Sequence, residues 1–238
     1  KSVNYVVVYL EAEQRAWTMH AAKYQNSSML YCHLIDTICR IIAKDTGCRD
    51  ALDRQEIMIF SHSGGGRLVF DYLKGVERIP SRIKRIAFLD STYGYEGESY
   101  SLKLAEWLKR SKENTLIVLS YVDTTVRLDG KPIVSPTGGT AYKSHRMAED
   151  LVKEGINLKY SADTVFRRYT GPSDEFCDIR KSRTPGDRIQ IVIKENPDGI
   201  IYHTLLVEKN GFIHSALAGT RLENLDYKFW GPRSYSHK

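Results

Sequence analysis

The chain has 238 residues, 42% of them hydrophobic and 27% charged, with 35 Lys+Arg against 29 Asp+Glu and a formal net charge of +6. That length and apolar content suit one domain, residues 1–238, with a substantial core, and exclude a disordered chain. No apolar run reaches the roughly 20 residues of a membrane span, and a modest positive charge without a nucleic-acid-binding motif argues against a nucleic-acid partner.

No signal peptide is visible, and the first residue is Lys1 rather than Met, which leaves a processed, secreted or periplasmic protein and a trimmed chain both open. Composition does not give the oligomeric state. Of the four cysteines, Cys32 and Cys39 lie seven apart on a predicted helix, about 10 Å along its axis, too far to bridge each other. Cys48 and Cys177 remain candidate partners for either, although the absence of any C-x-x-C pair favours free thiols.

Residues 3–10, with Val6, Val7 and Val8 in succession, predict a central parallel strand covered on both faces. Residues 11–28 have no clear period and read as a long loop. Leu34, Ile35, Ile38, Ile41 and Ile42 recur at helical spacing and predict an amphipathic helix that stops near Gly47. Residues 56–60 are an apolar strand that runs into Ser61-His62-Ser63-Gly64-Gly65-Gly66, and helical spacing resumes at once with Leu68, Val69, Tyr72 and Leu73. Strand, sharp turn and helix therefore follow one another, with Ser63 at the apex.

Alternation continues: a strand at 83–89 ending in Asp90-Ser91-Thr92, a helix at 100–110, a strand at 115–122 ending at Asp123, a loop at 129–139, a helix at about 141–154 closed by Gly155, and a short strand at 156–160. Such β-α alternation predicts a three-layer α/β/α sandwich with a mostly parallel sheet, whose ligands bind at the carboxyl ends of the strands, where Ser63, Asp90 and Asp123 fall. Residues 161–187 are polar and basic and read as an insertion over the sheet edge. Strands at 189–194 and 200–207 flank Asn196-Pro197-Asp198-Gly199 as a predicted hairpin, and residues 212–217 predict a last strand and a loop carrying His214.

The turn Ser61-His62-Ser63-Gly64-Gly65 resembles the G-x-S-x-G nucleophile elbow of the α/β-hydrolase superfamily, with Ser61 in place of the first glycine. A phosphate loop is excluded, because G-x-x-x-x-G-K-[ST] is absent. The resemblance covers residues 3–160 and the His214 loop. Only one strand precedes the elbow, so either the fold is minimal, as in cutinase-like members, or its N-terminal strands are reduced.

A serine hydroxyl needs an imidazole to take its proton, and the imidazole needs a carboxylate to fix its tautomer. The superfamily's chain order implies Ser63 as nucleophile, Asp123 as acid and His214 as base. Asp90, one strand earlier, competes as the acid but also reads as a turn or cap carboxylate. His203 competes as the base, yet its place inside a predicted strand favours a structural role. The resemblance further implies an oxyanion hole from the backbone N–H of Gly64 and of a residue after the first strand, Glu11 or Ala12.

The expected activity is that of a serine hydrolase, an esterase working through an acyl-enzyme. A peptidase or amidase of the same fold and a non-catalytic hydrolase-fold binding protein are the alternatives. The substrate is then a small-molecule or polymer-borne ester. Arg167 and Arg168, with Arg180, Lys181 and Arg183, would favour an anionic one if they line the rim, whereas an exposed loop would carry such charges merely for solubility. None of the seven histidines shows metal-ligand spacing, so neither a metal nor another cofactor is expected.

Overall fold

The computed structural model describes residues 6–10, 29–47, 55–171, 187–204 and 209–220. In chain order the strands are β1 (Ile57–His62), β2 (Ile83–Leu89), β3 (Thr115–Tyr121), the short β4 (Arg127–Leu128) and β5 (Lys131–Pro132), β6 (Lys159–Ala162), β7 (Phe166–Thr170) and β8 (Ile189–Lys194). The helices are α1 (Met29–Asp45), α2 (Gly66–Gly75), α3 (Glu98–Arg110), α4 (Thr140–Lys153) and α5 (Lys209–Leu217).

Six strands form one sheet in the order β1-β2-β3-β8-β7-β6, while β4 and β5 pair separately as a small antiparallel ribbon. The pairs β1–β2, β2–β3 and β3–β8 are parallel; β7 pairs antiparallel with both β8 and β6. The fold is therefore an α/β sandwich with a mostly parallel sheet and helices against it. Because β1, β2 and β3 are laid down side by side, right-handed crossovers put α2 and α3 on the same face.

Periodicity explains which face each helix buries. On α3, Tyr100, Leu104, Trp107 and Leu108 are buried at i, i+4, i+7 and i+8, and on α2 Val69, Phe70 and Leu73 are. They pack with Met147, Ala148 and Leu151 of α4 on Ile86, Phe88, Leu116, Val118, Ile191 and Ile193, and Leu34 and Ile35 of α1 join this layer. The opposite face carries Ala87, Leu89, Ile117, Leu119, Tyr121 and Val192, against Tyr202 and Ala218, with α5 beside β2 and β3. Every residue of β3 is buried, as a parallel strand sandwiched between two layers requires. Beneath α5, the buried Arg85 guanidinium donates to the carbonyls of Ser215 and Ala218, groups that a helix C-terminus leaves without intrahelical partners.

The sequence expectations fail at five places. Residues 6–10 are exposed and form no strand, and residues 3–5 lie outside the described residues. A run of β-branched residues favours extended backbone, but a strand also needs an edge to pair with, and no described strand pairs with β1 on its outer side. The strand expected at 156–160 is shifted to β6, leaving Ile156 to pack as a buried loop residue.

The polar stretch at 161–187 is not all insertion: its first part completes β6 and forms β7, where side chains alternate between faces, and residues 172–186 lie outside the described residues. Residues 200–204 do not form the second strand of the hairpin expected around 196–199, because β8 already pairs with β3 on one side and β7 on the other and leaves them no edge; residues 205–207 lie outside the described residues. Finally, His214 stands on helix α5 rather than in a loop. Ser215 Oγ donates to the Gly211 carbonyl at 2.9 Å, and Ala218 N–H donates to that of His214 at 2.7 Å.

Candidate active site at the carboxyl ends of the parallel strands

Strand β1 ends at His62, a single 3₁₀ turn (Ser63–Gly65) follows, and α2 begins at Gly66. Ser63 is at φ 53°, in the left-handed region that costs a non-glycine residue roughly 1 kcal/mol. The turn is tight because α2 starts against the segment after β2: a Cβ at position 66 would lie 1.8 Å from the Ser91 carbonyl oxygen. No side chain fits there. Ser61, where the elbow pattern has glycine, is buried, and its hydroxyl meets Ser91 Oγ at 2.7 Å, while Ser91 Oγ lies 3.1 Å from the Ser61 carbonyl. These bonds fasten the turn to the neighbouring strand end.

Asp90 caps β2 and is also left-handed, at φ 47°, and fully buried. Its backbone N–H still bonds the Leu119 carbonyl at 2.7 Å, so the strand ladder holds the residue while its carboxylate turns to the sheet's end. One carboxylate oxygen, Oδ2, pairs with Nδ1 of His203, and the other, Oδ1, accepts from the Thr140 hydroxyl. An Nδ1–H donated to Asp90 leaves Nε2 of His203 as the unprotonated nitrogen.

His203 is placed from behind by the turn that carries Ser63. His62 Nε2–H donates to the His203 carbonyl at 2.9 Å, and the two imidazole rings lie 4.6 Å apart at 37°. Burial, followed by the neighbouring His203, pushes the His62 pKa down, so His62 is a neutral donor. Ser63 is half-buried and Gly64 exposed, so the turn's apex opens to solvent.

Asp123, at the end of β3, has a different environment. Its Oδ2 accepts the Thr140 backbone N–H at 2.8 Å, and Gly139 is packed so closely that a Cβ there would fall 2.0 Å from Oδ1. Oδ1 is buried without a hydrogen-bond partner. Burial, and then the charge of Asp90, raise the Asp123 pKa to about 6 against the opposing Thr140 N–H. No histidine is among its hydrogen-bond partners.

His214 is 5% exposed, and its Nε2 donates to Gln190 Oε1 at 2.9 Å. Gln190 is in register with Ile117, hence with Ala87 and Phe60. From Gln190, Ser63 is therefore three strand positions across and about 10 Å further along the strands. Burial, then the guanidinium groups of Arg85 and Arg168, drive the His214 pKa down to about 3. The structure thus pairs Asp90 with His203, rather than Asp123 with His214, and ties His203 to His62, the residue before Ser63; among the described residues no hydrogen bond joins His203 to the Ser63 side chain.

Of the other predicted site residues, Glu11 and Ala12, expected to supply an oxyanion donor, lie outside the described residues, as do Arg180, Lys181 and Arg183. Arg167 pairs with Glu195, and Arg168 lies 3.6 Å from Asp163 and stacks over the Phe166 ring. Both are on β7, four strand positions or about 19 Å from β1. Cys39 is a buried free thiol. Among the described residues, no group of three or more His, Cys, Asp or Glu could hold a metal ion, and no helix is long and apolar enough to cross a membrane.

His203 was set aside in the sequence because a hairpin strand would have buried its role. No local pattern signals its role: strand pairing decides it, since β8 runs parallel to β3 and a segment leaving its end emerges on the edge that carries Ser63 and Asp90. Thr140 gave no signal, since a threonine at a helix start is ordinary capping material. Scans against family models and searches of curated proteins and of solved structures find no match to this chain.

Proposed function

We propose that the protein is a serine hydrolase of the α/β-hydrolase type, acting on carboxylic esters through Ser63, His203 and Asp90. The observation that carries this reading is the Asp90–His203 pair set against a strand–turn–helix whose apex serine is held at positive φ. A strained backbone at a solvent-open apex, one residue from the His62 side chain that bonds His203, with a buried carboxylate behind the His203 imidazole, is costly to build and suits nucleophilic catalysis.

In this mechanism His203 Nε2 removes the Ser63 hydroxyl proton as Oγ attacks the ester carbonyl. Asp90 holds the imidazole in the required tautomer and stabilises the imidazolium. The Gly64 N–H lies in the first turn after the nucleophile, where backbone donors have no helical acceptor, and serves the oxyanion. The imidazolium then protonates the leaving alkoxide. Water, activated by the same nitrogen, hydrolyses the acyl-enzyme and restores Ser63. Because Arg167 and Arg168 already face carboxylates, the proposal includes no preference for an anionic ester.

The test is labelling with a fluorophosphonate probe, peptide mapping of the adduct, and turnover of a short-chain ester series. The adduct should map to Ser63, and Ser63→Ala should lose both labelling and turnover while staying folded. His203→Gln and Asp90→Asn should each lower kcat by several powers of ten. A folded Ser63→Ala protein with undiminished turnover would refute the proposal, and failure of wild type to label would favour a binding protein of this architecture.

A further inference from the structure

We infer that Thr140 is the positioning residue of this site: it divides its two donors between the two buried carboxylates, so that Asp90 alone is turned toward His203. The inference rests on the reading of Ser63, His203 and Asp90 as one catalytic unit, and it names the residue that sets the geometry of the acid within that unit.

Thr140 is the first residue of α4 and fully buried. Its hydroxyl donates to Asp90 Oδ1 and its backbone N–H to Asp123 Oδ2, while its carbonyl accepts from Thr92 Oγ1 at 3.1 Å. Thr92 Oγ1 in turn lies 3.1 Å from Ser144 Oγ, one turn further along α4. The helix start is therefore pinned to the segment after β2 and cannot slide relative to Asp90.

Two carboxylates at adjacent strand ends compete for any nearby imidazole, and the hydroxyl settles the competition by fixing the rotation of one of them. With Oδ1 held by Thr140, Oδ2 of Asp90 is the oxygen left to face His203 Nδ1. Asp123 is held by the backbone N–H instead and faces Gly139. The α4 N-terminus also favours negative charge at both positions.

His62, from the end of β1, faces His203, while Tyr93 from the segment after β2, Tyr121 from β3 and Asp123 from beyond its end face Asp90. Removing the Thr140 hydroxyl changes none of these groups. It does take from the Asp90 carboxylate the donor that fixes its rotation, so that Oδ2 is no longer held toward His203 Nδ1.

Thr140→Val deletes the donor with little change of shape, and Thr140→Ser keeps it. The hydrogen-bonded Nδ1–H signal of His203, followed by NMR, should be lost in Thr140→Val and stay as in wild type in Thr140→Ser. In turnover, kcat of Thr140→Val should fall roughly ten- to hundredfold with KM little changed, and Thr140→Ser should restore it. If Thr140→Val does not fold, Thr140→Cys, a weak donor of similar size, should give a signal of intermediate strength.

An unchanged Nδ1–H signal in the folded donor-deletion variants overturns the inference. The signal needs no substrate, so it remains decisive for a protein without Ser63-dependent turnover: its loss in Thr140→Val there would uphold the positioning role and refute only the hydrolase reading.

Discussion

Replacing Asp123 by Asn should stabilise the protein at neutral pH and destabilise it in acid. The folded carboxyl has its pKa raised from 3.8 to about 6, so between these values the native state binds more protons than the unfolded chain. Stability from this group is therefore complete below about pH 4 and is lost as pH rises through 6. The two pKa values correspond to a penalty of about 3 kcal/mol at pH 7 and about 0.5 kcal/mol at pH 4. Asparagine removes that penalty and still accepts the Thr140 N–H, but it gives up a charge-assisted bond and puts an amide where Oδ1 has no partner, which together cost about 1–2 kcal/mol.

The variant should thus be about 1–2 kcal/mol more stable than wild type at pH 7 and about 1 kcal/mol less stable at pH 4. Urea unfolding at pH 4, 5, 6 and 7 measures the difference, with the crossover expected at about pH 5. Under the proposed hydrolase reading, the same protein should keep its turnover within about threefold, whereas Asp90→Asn should not. A variant destabilised equally at pH 4 and pH 7 would refute the account of the buried carboxyl, and a loss of several powers of ten in turnover would return the acid's role to Asp123.

Two further outcomes follow from the same geometry. The His214 pKa is lowered in the fold from 6.5 to about 3, so the unfolded chain takes the proton first and stability falls as pH drops below 6.5; wild type should lose about 2 kcal/mol between pH 7 and pH 5 that His214→Gln retains, and parallel urea profiles for the two proteins would contradict this. Because Ser63 sits at φ 53°, Ser63→Gly should be about 1 kcal/mol more stable than Ser63→Ala although both lack turnover, and equal thermal midpoints would mean that the turn stores no strain.

The core layers were legible before any coordinates. Helices expected after Ser63, at 100–110 and at about 141–154, alternating with apolar strands at 83–89 and 115–122, pointed to a parallel sheet with helices against it, and the observed elements lie within one or two residues of those bounds. The turn at Ser63 was legible for a similar reason: three consecutive glycines after an apolar strand mark a place where backbone approaches backbone, and position 66 meets the Ser91 carbonyl.

Partnership was not legible, because it depends on which strand edges are already filled and on which end of the sheet a segment reaches. Residues 200–204 follow a turn sequence that elsewhere makes a hairpin, yet β3 and β7 occupy both edges of β8, and the freed segment carries His203 to Asp90 instead. His214 has the right place in the chain for a base, but helix α5 seats it beside Gln190 near the amino ends of the strands. Asp90 and Asp123 are alike in sequence, each closing a parallel strand. Only the start of α4 distinguishes them, because it offers a hydroxyl to one and a backbone N–H to the other. Local sequence thus determined the periodic elements and the strained serine turn, since both arise from contacts within a few residues. The Asp90–His203 pair and the Thr140–Asp90 bond beside it join groups 113 and 50 positions apart, and tertiary packing alone could decide them.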